Sequence, residues 1–130
     1  MSPPERFPAD DPREWINRAR SNLAMAKIRI PDAYPEDLCF HAQQAAEKAI
    51  KAVMIKRGID FPYVHDLARL LSLLKESDET IPDFVGQARK LTRFATATRY
   101  PIDQTVTEQH YLDAIGIAED VLRWAEERIR

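Results

Sequence analysis

The sequence predicts an all-α fold, an up-and-down antiparallel bundle of four to five helices. Three observations carry this. Apolar residues recur at helical spacing in five stretches, prolines and a glycine fall between the stretches, and no segment sustains the two-residue alternation of a half-buried strand.

Residues 1–10, mostly Pro, Asp, Glu, Arg and Ser, are expected to form a loose tail before a single domain over 11–130. Asp11-Pro12 has the form of an N-cap followed by proline at the first helical position. Trp15, Ala19, Leu23, Ala26 and Ile30 then recur at helical spacing up to Pro31. Pro35 opens a second helix, and Gly58 is placed to close it in the left-handed conformation. Leu67, Leu70, Leu71 and Leu74 mark a short third helix. A fourth is introduced by Thr80 and Pro82 and must end before Pro101, because the residue preceding proline avoids the helical region. The fifth starts at Thr105 or Thr107, with Tyr111, Ile115, Ala118, Leu122, Ala125 and Ile129 along one face.

The 130 residues are one domain's worth, and 45% hydrophobic with 31% charged residues is the balance of a folded globular chain. A net charge of −2 gives no overall attraction to nucleic acid or an anionic membrane, so any such contact must come from a local patch. Phe84 to Ile102 holds four basic residues and no acid, whereas Asp103 to Arg130 holds seven acids and three bases. The single cysteine, Cys39, rules out an intramolecular disulfide and reads as a small buried hydrophobe. With no apolar leader and no stretch approaching a membrane span, the cytoplasm is the expected location.

The second helix carries a marked polar face. Leu38, Ala42, Ala45, Ala46, Ala49, Ile50 and Val53 share a broad apolar arc; Gln44, Glu47, Lys48 and Lys51 lie opposite, with His41 at the boundary. The alanines permit close helix approach, which places this helix at the centre of the bundle or of a dimer. Glu47 and Lys51 read as a solvated i,i+4 pair worth a few tenths of a kcal/mol. His65 is expected to cap or pack at the start of the third helix, and His110 falls in the first turn of the last. No His, Asp and Glu set has ligand spacing, so neither a metal nor a cofactor is expected.

In the fourth helix Phe84, Ala88, Leu91, Phe94, Ala95 and Thr98 form the apolar arc, leaving Arg89, Thr92, Arg93, Thr96 and Arg99 on the other side. Guanidinium and hydroxyl groups without a carboxylate suit phosphate, since arginine offers planar bidentate donors. Arg99-Tyr100-Pro101 ends the helix, and the proline fixes where Arg99 and Tyr100 point.

The run Phe40-His41-Ala42-Gln43-Gln44-Ala45-Ala46-Glu47-Lys48-Ala49-Ile50-Lys51-Ala52 resembles the second helix of HEPN-domain proteins. Gly58, His65-Asp66-Leu67, Leu70-Leu71 and Ala97-Thr98-Arg99-Tyr100-Pro101 continue the resemblance over residues 12–128. It implies a helical bundle, a homodimer, association with nucleotides or RNA, and a minimal nucleotidyltransferase as partner, in some cases within a toxin–antitoxin pair. Many HEPN proteins are metal-independent ribonucleases using Arg, four to six residues, then His. The chain departs from that motif: Gln104, Thr105 and Val106 follow Arg99 at those positions, and Thr98, Arg99 and Tyr100 follow Arg93. The nearest spacing, Arg57 to His65, has seven residues between and lies elsewhere. Without such a histidine, cleavage forgoes a proton-transfer contribution of about 10²–10⁴.

The leading expectation is therefore a non-catalytic module binding nucleotide or RNA phosphate through Arg89, Arg93, Arg99, Tyr100, Gln44, Lys48 and Lys51. A ribonuclease at a dimer interface, with Arg99, Tyr100 and His41 as catalytic candidates, is the second reading, and a dimerisation module the third.

Overall fold

The computed structural model describes residues 2–77, 79–95 and 105–130. Helix α1 spans Pro12–Ala26, α2 Pro35–Lys56, α3 Leu67–Glu76, α4 Asp83–Gly86 and α5 Glu108–Arg128; a 3₁₀ helix, Gln87–Ala95, continues directly from α4. The described residues contain no strand.

The helix ends follow local chemistry. Asp11 caps α1 by accepting the Arg13 amide at 2.9 Å, with Pro12 behind it. Asp66 accepts from the Ala68 and Arg69 amides and so starts α3. Thr107 and His110 form a reciprocal capping box at α5: the Thr107 hydroxyl accepts the His110 amide, and His110 Nδ1 accepts the Thr107 amide, both at 3.1 Å. Gly58, at φ +70°, closes α2. Its amide reaches the Ile55 carbonyl and the Ile59 amide reaches Met54, the paired bonds of a Schellman end.

Helix α2 is central. It packs against α1, α3, α5 and the 3₁₀ helix, and its buried residues run almost all the way round, from Leu38 to Met54. Ala42, Ala45, Ala46, Ala49 and Ala52 are fully buried, so neighbouring helices approach its backbone closely. Ion pairs fix the direction of α5 against α1: Arg20 pairs with Glu126, Lys27 with Glu119, and Arg29 with Glu108, the order of antiparallel neighbours. At the end of that pair the buried Tyr111 hydroxyl donates to the Ala26 carbonyl at 2.7 Å, satisfying a last-turn acceptor of α1.

Three expectations are corrected. Helix α1 stops at Ala26, so Ile30 is exposed and Ile16 is the inward residue of the first turn. The fourth element begins after Pro82 as expected but becomes 3₁₀, with Val85, Ala88, Leu91 and Phe94 buried and Phe84 half-exposed. The reason lies in the spacing. Those four apolar residues are separated by three, and only three residues per turn keeps them on one face; an α-helix would carry them progressively round its axis. Lastly, residues 5–9 have no regular structure yet are held on α1. Trp15 Nε1 donates to the Ala9 carbonyl at 2.7 Å, Asn17 Nδ2 to Glu5 at 2.8 Å, and the Phe7 amide to Glu14 Oε1 at 2.9 Å.

Candidate phosphate-binding face of α1 and α2

Antiparallel packing brings the polar edge of α2 against the row Glu14, Arg18 and Asn22 of α1, residues four apart and therefore on one face. Lys48 Nζ donates to Asn22 Oδ1 at 2.7 Å, and Asn22 Nδ2 lies 3.3 Å from His41 Nδ1. Arg18 Nε donates to Glu14 Oε2 at 2.7 Å. Lys48, Arg18, Asn22 and Glu14 line a pocket of about 280 Å³ together with Arg6 from the N-terminal stretch. Of the residues expected to form a site, His41 and Lys48 are thus joined through Asn22. Arg18 and Asn22 are additions, marked in the sequence only by their four-residue spacing from Glu14.

Lys48 is the partly buried cation of this face. Burial lowers the Lys48 pKa from its usual value, and Arg18 lowers it further. Among the described residues Lys48 has only a neutral amide as hydrogen-bond partner and makes no ion pair. Burial likewise depresses His41 below its ordinary 6.5, with Lys48 the next cause. As the pH falls through about 6.5 the unfolded chain takes up a proton that the folded chain resists, so His41 costs stability on acidification. The expected result is a denaturation midpoint that declines more steeply between about pH 7 and 5 in the parent than in His41→Asn; parallel curves would show that the imidazole is free to protonate.

Lys51 does not belong to this face, which corrects its assignment as a solvated binding residue. Its side chain is 7% exposed and that of Glu47 5%, with Nζ 3.0 Å from Glu47 Oε2. The ammonium lies 6.0 Å from the Trp15 ring centroid and 5.1 Å from that of Phe61, two rings that meet edge to face. Glu47 Oε1 accepts from Gln43 Nε2 at 2.9 Å and from His65 Nδ1 at 2.8 Å. Burial would raise the Glu47 pKa, but hydrogen bonds from His65, Gln43 and Lys51 together hold it below the ordinary value. Gln44 joins this network by donating to Gln43 Oε1 at 2.7 Å. The pattern i,i+4 was legible, but whether it faced water depended on the Phe61 loop folding over it.

Arg89 and Arg93 are exposed on the 3₁₀ helix. The Arg93 guanidinium stacks 4.7 Å from the Phe94 centroid, and with Lys90 it borders an apolar groove of about 350 Å³ against α5. Arg99 and Tyr100 lie outside the described residues.

The HEPN domain family model matches residues 12–128. The chain belongs to the HEPN family. Among solved structures, this HEPN chain is similar to TT1696 from Thermus thermophilus, at 31% identity and a TM-score of 0.76, over 90% of this chain and 97% of that one. It is also similar to ST0689, an archaeal HEPN homologue, at 26% identity and a TM-score of 0.72, over 92% and 98% of the two chains. Both likenesses agree with the helical bundle. Among curated proteins it is 43% identical over 47 residues to "Putative toxin MJ1304" of Methanocaldococcus jannaschii. That match spans 36% of this chain and 31% of the relative's length. No described helix is long and apolar enough to cross a membrane.

Proposed function

We propose that this HEPN protein is one half of a toxin–antitoxin pair, an accessory module that binds nucleotide or RNA phosphate and acts with a minimal nucleotidyltransferase. The observation that carries the binding half is Lys48, a half-buried ammonium beside Arg18 whose described hydrogen-bond partner is a neutral amide. A phosphate oxygen supplies the missing counter-charge through a charge-assisted hydrogen bond. Arg89 and Arg93, exposed on the 3₁₀ helix, offer further guanidinium donors, and Arg99 and Tyr100 follow them in the sequence. The toxin half draws on the likeness to the M. jannaschii protein, within its 47 residues. A homodimer is part of the proposal: Met25, Ile28, Ile30 and Tyr34, near the α1–α2 connection, leave apolar surface exposed.

The test of binding is fluorescence anisotropy with a labelled single-stranded RNA dodecamer and with ADP as competitor. Lys48→Met is expected to weaken binding about tenfold or more, the worth of one charge-assisted bond; unchanged affinity removes Lys48 from the site. The partner is tested by gentle purification of the tagged protein from its host. Stoichiometric recovery of a nucleotidyltransferase is expected, and recovery of the HEPN protein alone would end that part of the proposal.

The ribonuclease reading has one observation in its favour. With Asn22 Nδ2 donating to Nδ1, His41 is a neutral imidazole next to an ammonium, its Nε2–H left to donate to a scissile phosphate. RNA left intact by the purified protein without metal, over a broad pH range, would end it.

A further inference from the structure

We infer that the α1–α2 pocket takes a terminal phosphate, borne by a free nucleotide or by the 5′ end of an RNA, in preference to phosphates inside a chain. The inference rests on the phosphate-binding reading above and adds what kind of phosphate enters.

Three cationic side chains from three parts of the chain line this pocket: Arg6 from the N-terminal stretch, Arg18 from α1 and Lys48 from α2. The buried Glu14 holds Arg18 in place and lies near the exposed Arg6. Its Oε1 accepts the Phe7 amide, while Oε2 lies 2.7 Å from Arg18 Nε and 3.9 Å from Arg6 Nη1. Phe7's N–H is the main reason the Glu14 carboxyl sits below its ordinary pKa, so it stays ionised as a positioning group. Arg18 spends Nε on Glu14 and makes no other hydrogen bond among the described residues, leaving its terminal N–H donors for a ligand. The exposed Glu5 is the other acid on the lining, and its backbone is fixed by Asn17.

Charge and oxygen count then decide which phosphate fits. The N-terminal stretch lies against α1 and lines the space of about 280 Å³ with Pro4, Glu5 and Arg6. An internal phosphodiester has a sugar on each side, two free oxygens and a single charge. A terminal phosphate presents three oxygens to three cationic donors and carries about −1.5 to −2 charge near neutral pH. Asn17, Ser21 and Asn22 place neutral polar groups on the same lining, suited to the sugar hydroxyls that follow.

The experiment compares a 5′-phosphorylated RNA dodecamer with its 5′-hydroxyl twin by anisotropy, using the full chain, with ADP as competitor. The 5′-phosphorylated strand is expected to bind at least about tenfold tighter, the worth of a charge-assisted contact. Lys48→Met and Arg18→Met should erase that difference, and Lys48→Arg should keep it. Ser21→Glu, an exposed change on the pocket wall, should erase it too, and guards against loss of fold in the others. ADP binding that depends on the same residues, with no RNA binding, identifies the free nucleotide as the source and upholds the inference. Equal affinity for the two strands, lost in Lys48→Met, overturns it while leaving the phosphate-binding reading standing. A preference that survives Lys48→Met, Arg18→Met and Ser21→Glu alike places the terminal phosphate elsewhere and also overturns it. No binding of either strand or of ADP by the parent removes both readings.

Discussion

Glu47→Ala is expected to lower stability by about 3–5 kcal/mol, the cost of leaving a buried charge without its partner. The removed carboxylate is the shared acceptor for Lys51, Gln43 and His65. Lys51 then stays buried against Trp15 and Phe61 with no counter-charge, and those rings repay only part of the loss, about 0.5–2 kcal/mol per cation–π contact. For a chain of this size the melting temperature should fall by roughly 10–15 °C, read by circular dichroism. The pair itself contributes much less than its breakage costs. Glu47→Met combined with Lys51→Met should therefore recover most of the loss, because burying apolar groups of similar volume avoids the desolvation of two ions. A single-variant loss below about 1 kcal/mol would show that water reaches the pair.

Leu91→Ala should cost about 2–4 kcal/mol, whereas Phe84→Ala should change stability by less than about 1 kcal/mol. Leu91 is 1% exposed and Phe84 49%. The contrast tests the three-residue turn directly. If the segment were an α-helix presenting Phe84, Leu91 and Thr98 to the core, removing the phenyl ring would be the more damaging change, at about 3–5 kcal/mol. Urea denaturation of the two variants separates the alternatives, and equal losses would overturn the 3₁₀ assignment.

These two cases show what was legible in the chain and what was not. Caps and breakers are local, so Asp11-Pro12, Asp66, Thr107 and Gly58 mark helix ends in the sequence and perform that role in the fold. The alanine-rich arc of α2 likewise foretells a central helix. Lys51 was not legible, because a charged side chain at helical spacing looks the same in water or under a loop; only the folding of Phe61 over it decides. The 3₁₀ segment misled for a different reason: periods of three and 3.6 coincide over one turn, and Phe84 and Val85 are both apolar neighbours from which either phase can start. Of the site, His41 and Lys48 could be named from one helix, but their link through Asn22 is a tertiary fact. Arg99 and Tyr100 lie outside the described residues.

Cys39 sits in the fully buried part of α2, and burial pushes its thiol up to about 11. A thiol that is neither ionised nor reachable does not react with alkylating reagents, whose target is the thiolate. Its labelling rate therefore measures how often the centre of the molecule opens, since only an opened chain exposes the sulfur. The single cysteine makes every copy of the protein carry one built-in clock of its own breathing, read by mass without introducing a probe. Ligands that bind the closed form should slow that clock in proportion to their occupancy.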